Sequence, residues 1–267
     1  MGLTVTREVV DRKEGRSVFG RDPVAYQLGR PGHPDRVYEV LRERCGLGPG
    51  TRVLEIGPGT GQVTRRLLEL GAEPVVVVEP DPALAAYLPS VTDPTPEILV
   101  ATLEEVVLPE NAFDLAVAGS SFHWIDAERG LAAIGSTLRP GGWWAMWWTH
   151  FGDKTRPDRF RDAIDPIVRG LASSPGARGF SRDEDAALAA LSSEGLEHGR
   201  SDVVRWTHEW DADGIRALFA TFSPIARLDT PQKSAVLDNI ERVARDDFGG
   251  RVEKPMLTTL YSARKPG

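Results

Sequence analysis

The run Val53-Leu54-Glu55-Ile56-Gly57-Pro58-Gly59-Thr60-Gly61 constrains the fold of this chain more than any other segment. Its apolar half is long enough for a buried strand and too short for a helix. It gives way at once to alternating glycines and then to an amphipathic stretch. A strand that turns on glycines into a helix leaves backbone that can press against a ligand. Val75-Val76-Val77-Val78 is a second apolar run, and Glu79 ends it. An acid at that strand end can hold two ribose hydroxyls. Together the two features point to a nucleoside-bearing cofactor lying across the carboxyl ends of a parallel sheet.

Residues 35–150 keep the same rhythm. The pattern predicts a helix over 35–45, capped by Asp35, with Val37, Val40, Leu41 and Cys45 on one face. Strands are expected at 52–56, 74–79, 97–101, 113–118 and 143–149, with helices at 61–70, 82–88 and 127–138. Gly71 ends the first of these helices, Asp81 caps the second, and Pro140-Gly141-Gly142 follows the third. Short apolar runs alternating with amphipathic helices indicate an α/β, doubly wound, Rossmann-like sheet with right-handed crossovers.

The rhythm changes after Thr149. Helices are expected at 157–171 and 183–191, joined by Ser173-Ser174-Pro175-Gly176. A strand at about 202–210, helices at 212–221 and 234–248, and a strand at 251–264 complete a seven-stranded, mostly parallel sheet. Residues 1–30 are polar, with weak helical character at 22–28, and Pro31-Gly32-His33-Pro34 then breaks the chain. The organisation that follows is an N-terminal lid segment at 1–34, a cofactor-binding core at 35–150, a helical lid inserted after strand five at 151–196, and C-terminal elements at 197–267.

Composition narrows the function classes. A net charge of −7 over 267 residues argues against a nucleic-acid surface and against docking to anionic lipid. Cys45 is the only cysteine, so no internal disulfide and no cysteine-rich metal site is expected, and no metal is assigned. The first residues lack the apolar core of a signal peptide, and no apolar run approaches the roughly 20 residues of a membrane helix. A soluble, cytoplasmic protein, monomeric or homodimeric, is the expectation.

The glycine turn alone would also suit NAD or FAD enzymes. Three details favour S-adenosylmethionine. The glycines are spaced Gly57-x-Gly59-x-Gly61, shorter than the dinucleotide fingerprint. Glu55, two residues before the first glycine, suits a ligand bearing an ammonium group and would repel a pyrophosphate. The fourth strand leads into Gly119-Ser120-Ser121-Phe122-His123-Trp124, and the next helix ends in Leu138-Arg139-Pro140-Gly141-Gly142.

With Phe113-Asp114-Leu115 added, this order of motifs resembles class I S-adenosylmethionine-dependent methyltransferases. It is most similar to a small-molecule branch that includes trans-aconitate and ubiquinone-biosynthesis methyltransferase-like enzymes. The resemblance is strong over 22–149 and weaker in Val252-x-Lys254-Pro255-x-x-Thr258-x-Leu260-Tyr261-x-Ala263. It implies that Gly57, Gly59 and Gly61 pass under the methionine part and that Glu55 anchors the ammonium. Glu79 would take the ribose hydroxyls, with Pro80 against the adenine. Thr102 and Leu103 fall where the family often has an Asp and an apolar residue contacting adenine. Thr102 departs from that pattern, since a hydroxyl accepts without charge assistance. Tyr26 and Arg30 lie in a lead-in resembling the family's cofactor cover, with Arg30 able to pair with a carboxylate. Ser120, just past the fourth strand, is a further candidate contact.

The acceptor side is less defined. His123 can serve as a general base or as a donor that orients the acceptor, or it can simply bond a neighbouring loop above Trp124. His150, past strand five, is a second candidate. Alternation sends Trp144 and Trp148 to one face of strand five and Trp147 to the other, mostly as core, with Trp148 near the pocket. Trp206 and Trp210 share a face of the late strand. Arg156, Arg159 and Arg161 are either a solvated helix face or an attraction for an anionic acceptor. Ser120-Ser121-Phe122-His123 stands where nucleic-acid amino methyltransferases usually carry a Pro-Pro-aromatic pair. The expectation is methyl transfer to O, N or C of a small metabolite, in secondary metabolism, with S-adenosylhomocysteine as product. A nicotinamide-dependent oxidoreductase and a non-methylating protein of the same fold stay open as alternatives.

Overall fold

A computed structural model of the chain describes residues 23–169, 171 and 184–267. Most of the predicted N-terminal lid segment, and the turn expected at 173–176, lie outside these residues. The described residues form a seven-stranded sheet in the order β3-β2-β1-β4-β5-β7-β6. The strands are β1 Val53–Ile56, β2 Val75–Val78, β3 Glu97–Leu99, β4 Phe113–Gly119, β5 Leu138–His150, β6 Glu197–Asp211 and β7 Arg251–Arg264. β1 pairs in parallel with β2 and with β4, β2 with β3, and β4 with β5. β5 and β7 run antiparallel. The strand order reverses between β1 and β4, and the crevice at such a switch point is where a doubly wound sheet binds ligands.

Helices α1 Pro23–Gly29 and α2 Asp35–Cys45 precede the sheet. Between the strands lie α3 Gln62–Glu69, α4 Pro82–Tyr87, α5 Ala127–Thr137, α6 Arg159–Val168 and α7 Glu184–Ser193. α8 Ala212–Ala220, the short α9 Ser223–Ala226 and α10 Thr230–Phe248 separate β6 from β7. Every residue of β1 and β2 is buried, which is why both read as apolar runs, β1 broken only by Glu55. Their side chains alternate between two apolar layers. Leu54, Ile56, Val76 and Val78 join Phe122, Trp144, Met146 and Trp148 in one. Val53, Val75 and Val77 join Val63, Leu67, Ala145 and Trp147 in the other.

Two compact units divide the chain. The larger holds Pro31–Pro157, the run ending at His208, Lys254–Gly267 and both apolar layers. The smaller gathers described residues up to Arg30, those of the run that begins at Asp158 and ends before α7, and Glu209–Glu253. Within the smaller unit Phe160 meets Phe219 and Phe248 edge-on, at ring-centroid distances of 6.2 and 5.3 Å. α1 lies so close to α8 that a Cβ at Gly29 would come within 2.5 Å of the Ala217 backbone. The Trp210 indole donates to the Gly29 carbonyl at 3.1 Å.

Several boundaries differ from the sequence reading for local reasons. Asp35 is not the cap of α2. Pro34 holds the cap position in an extended conformation, and Asp35, one residue later, pairs with Arg66 at 3.0 Å. β5 begins at Leu138, where a turn at 140–142 had been expected, because Leu138 already pairs with Phe113 before an irregularity restores register at Leu115 and Trp143. α10 starts at Thr230 because Asp229 caps it, accepting from the Gln232 N–H at 2.8 Å, and a proline occupies its first turn. Asp81 does cap α4, accepting from Ala83 N–H at 2.8 Å.

Burial predicts where the sheet is fragile. Leu54→Ala, at a fully buried position, should cost about 2–5 kcal/mol of unfolding free energy. Val107→Ala, at a residue 93% exposed, should stay within about 0.5 kcal/mol. Urea denaturation of the two variants checks the contrast, and equal losses would mean the Leu54 layer is not the core.

Candidate functional site

The glycine turn after β1 is held from both sides. The Gly57 N–H donates to the Val78 carbonyl at 2.9 Å, which ties the turn to the end of β2. The Ser121 hydroxyl donates to the Ile56 carbonyl, which ties it to the segment after β4. Gly57 has φ +66°, and a Cβ there would stand 2.7 Å from the Ser121 Cβ. Gly59 has φ +57°, but its Cβ would meet nothing within 4 Å. The turn is therefore packed at Gly57 and open at Gly59, as a surface that a ligand presses against should be.

Two acids stand at this opening. Glu55 is 1% exposed and Glu79 is 4% exposed. The Thr64 hydroxyl, from the first turns of α3, donates to Glu55 Oε2 at 2.7 Å. Burial pushes the Glu55 pKa up to about 8; the Thr64 bond pulls it down and the Glu79 charge pushes it further up. Glu79 accepts from the Gly59 N–H at 3.1 Å and from the Asp81 N–H at 2.9 Å. Bracing of the loop through backbone N–H groups thus falls to Glu79, whereas Glu55 is held by a side chain.

The end of β4 supplies the facing wall. Ser120 has φ +59°, which is uncommon for a residue with a side chain and places strain at the crest of the sheet. Its N–H donates to the Trp147 carbonyl at 2.8 Å. Phe122–Trp124 then form a single 3-10 turn. Phe122 is buried against Trp144. His123 is half-buried, its ring 4.6 Å from that of Trp124 and its Nδ1 accepting from the Trp148 indole N–H at 3.1 Å.

A second imidazole lies on the other layer. His33, read from the sequence only as part of a chain break, turns its ring toward Trp147 at 5.4 Å. A Cβ on Gly119 would come within 3.1 Å of its Nε2. His33 Nδ1 bonds Thr149 Oγ1 at 3.2 Å, Thr149 bonds Thr258 at 2.9 Å, and the Trp206 indole donates to Thr258 at 3.1 Å. Burial lowers the His33 pKa to about 4. No sequence spacing links positions 33, 149, 258 and 206, so only the assembled sheet could reveal this chain of bonds.

The remaining candidates divide. Pro80 follows Glu79 and is half-buried. Leu103 is buried, and the Thr102 hydroxyl donates to Glu105 at 2.9 Å. His150 closes β5 opposite Leu257. Tyr26 and Arg30 belong to the helical unit. There the Arg30 guanidinium donates to the Thr221 hydroxyl at 2.9 Å and lies over the Tyr26 and Phe222 rings. Arg156 donates to the Trp206 carbonyl and to Thr207, both at 3.0 Å, so it is held by β6. A cavity of about 450 Å³ lies at the opposite edge of the sheet, lined by Arg44, Arg139 and Arg264 among others. Those guanidinium groups are engaged with Asp202, Asp114 and the Gly141 carbonyl.

Known proteins resemble this chain in sequence and in fold. Residues 54–146 match the methyltransferase domain family. An uncharacterized methyltransferase of Mycobacterium tuberculosis is 34% identical over 137 residues, 51% of this chain and 54% of the relative. The chain thus spans about half the length of the first curated relatives it matches. A malonyl-[acyl-carrier protein] O-methyltransferase of Geobacter sulfurreducens is 28% identical over 272 residues, 96% of this chain and all of that protein (100%). Among solved structures, phosphoethanolamine N-methyltransferase 2 of Haemonchus contortus in complex with S-adenosyl-L-methionine shares the fold. It has a TM-score of 0.59 at 15% identity and covers 97% of this chain and 61% of that one. Among the described residues no helix is long and apolar enough to cross a membrane.

The two shifted groups predict opposite pH effects on stability. Between the ordinary carboxyl range and about 8, the folded state holds a proton on Glu55 that the unfolded chain releases, so stability falls as pH rises. Between about 4 and the ordinary imidazole range, the unfolded chain binds a proton that folded His33 refuses, so stability rises with pH. Glu55→Gln should flatten the decline toward pH 8, and His33→Asn should flatten the acid limb. Thermal unfolding across pH 4–8.5 reads both, and two unchanged profiles would refute the burial of these groups.

Proposed function

We propose that this chain, which belongs to the class I S-adenosylmethionine-dependent methyltransferases, transfers a methyl group to an oxygen, nitrogen or carbon atom of a small metabolite. The observation that carries the reading is the open face at Gly59 flanked by two buried carboxyl groups, Glu55 and Glu79. A cofactor with an ammonium at one end and a ribose diol at the other matches that pair. A diphosphate would meet two acids and no described cation among the bonds of the turn.

The fit can be followed group by group. Glu79 would accept from the ribose hydroxyls while keeping the Asp81 N–H, and the Gly59 N–H it now holds is the bond most open to exchange. Glu55 is neutral near pH 7 in this structure, and an ammonium brought against it would drive its ionisation. Leu103, Thr102 and Pro80 would border the base, and Ser120 the crest. When bound, S-adenosylmethionine supplies a methyl group already activated by its sulfonium. The task left to the protein is to align the acceptor and exclude water, and positioning of this kind contributes on the order of 7–11 kcal/mol in favourable cases.

Three outcomes test the reading by calorimetry with S-adenosylhomocysteine. Glu79→Ala should weaken binding by about 1.5–3 kcal/mol, the scale of hydrogen bonds to a charged group. Gly59→Ala should lower thermal stability only by the roughly 1 kcal/mol of a left-handed residue, yet weaken binding by at least about tenfold, because its Cβ enters the open face. Below pH 8 binding should release a proton from Glu55, seen as a dependence of the measured heat on buffer ionisation that Glu55→Gln removes. Wild-type affinity in both Glu79→Ala and Gly59→Ala would place the nucleoside elsewhere.

A further inference from the structure

We propose that the hollow at the strand ends opposite the glycine turn is a second binding site, for a phosphoryl dianion, free or esterified, held by Arg200 and Arg264 beside Trp143. The proposal goes beyond the methyltransferase reading and does not depend on it.

Topology sets the place. The cavity of about 450 Å³ is lined by Thr51, which precedes β1, by Asp114 near the start of β4, and by Gly141 and Trp143 of β5. The glycine turn and Ser120 lie past the other ends of β1 and β4, so the length of the strands separates the two regions. A second hollow, of about 420 Å³, shares Arg44, Trp143 and Arg264 with the first and adds Arg200 from β6. All of these residues belong to the larger unit.

Charge decides what such a place can hold. Four guanidinium groups line the two hollows. Arg44 is held through both Nη atoms by Asp202, and Arg139 pairs with Asp114, so those two charges are neutralised. Glu43, the other acid on the wall, turns to Arg36 at 3.2 Å. Among the described residues no carboxylate pairs with Arg200 or with Arg264. Two uncompensated cations therefore face one opening on a chain whose net charge is −7. A carboxylate or a halide would match one of them. A phosphoryl group, close to a dianion at neutral pH and bearing three acceptor oxygens, matches both.

Arg264 is placed for this contact. Its Nε donates to the Gly141 carbonyl at 2.9 Å, and its guanidinium lies over the Trp143 ring, 6.0 Å from the centroid. Gly141 has φ +77°, and a Cβ there would stand 3.0 Å from Arg264 Nη2. The carbonyl and the ring orient the guanidinium without cancelling its charge. Only the Nε–H is spent on the carbonyl, which leaves the two Nη groups as a planar fork of the kind that grips phosphoryl oxygens. The hollows are larger than a phosphate ion, and Trp143 and Val40 give them apolar wall, so an ester carrying a small organic group also has room.

Phenyl phosphate and inorganic phosphate, titrated separately into the full chain above about pH 8 where both are dianions, test the site. Indole N–H NMR reads the position, with Trp143→Phe identifying the Trp143 signal. Each probe should move that signal saturably and leave the Gly59 amide in place. Tighter binding of phenyl phosphate supports an esterified occupant, and equal binding supports the free anion. Arg200→Ala, which removes no described bond, should raise the dissociation constant about tenfold, and Arg264→Ala by at least as much. Arg227→Ala, at an exposed arginine of the smaller unit, should change it by less than about twofold. Saturating S-adenosylhomocysteine should leave the affinity unaltered. A still Trp143 signal, wild-type affinity in Arg200→Ala, or a response to phenol equal to that of phenyl phosphate overturns the proposal. So does a shift centred on Gly59 that S-adenosylhomocysteine abolishes, since the anion would then occupy the glycine turn. Failure of S-adenosylhomocysteine to bind would count against the methyltransferase reading alone, and the free protein would still report on Trp143.

Discussion

Glu55 and Glu79 bring two carboxyl groups to neighbouring strand ends of a sheet whose flanking layers are apolar, and Glu79 opposes the ionisation of Glu55. Register places Glu55 beside Val77 within the buried stretch of β1, where every other residue is aliphatic. The chain meets the cost in two different ways. Glu79 is stabilised by two backbone N–H groups, one from the turn and one from the start of α4. Glu55 has the Thr64 hydroxyl, and burial holds it protonated to about pH 8. One acid is thus braced by backbone N–H groups of the turn and of α4, while the other is held by a side chain on α3.

Much of this was legible in the sequence because it is local. A short strand that is apolar but for Glu55, followed by alternating glycines, can do little except leave a parallel sheet through a tight turn, and the helix cap at Asp81 followed from residue type and spacing alone. The alternation of tryptophans in β5 also resolved as the period of a strand requires, with Trp144 and Trp148 in one layer and Trp147 in the other. The misread boundaries have two causes. At Asp35, at Leu138 and at Thr230, the outcome depended on a partner distant in sequence or on a neighbouring residue that took the cap.

What the sequence could not disclose is which polar side chains meet across strands. His33 looked like part of a Pro-Gly breaker, and its bond to Thr149 spans 116 positions. Trp148 read as core, and it is core, but its single N–H also decides the state of His123. Such pairings are written in the sheet order, which sets β4 beside β5 and β5 beside β7, and not in any spacing along the chain.

β5 links the two imidazoles near the end of β4. Its pleat sends Trp147 and Thr149 to one face, where they contact His33, and Trp148 to the other, where it contacts His123. The two imidazoles consequently differ in kind although both border the end of β4. His33 is enclosed, its basicity suppressed by burial, and tied into a relay of hydroxyls whose direction its tautomer leaves open. His123 has its tautomer dictated by a donor-only partner. A strand whose alternate indoles serve opposite faces can in this way set the hydrogen-bonding polarity of one imidazole without touching the other. Hydrogen bonding at the crest can then be altered by single substitutions in β5 that leave the glycine turn intact.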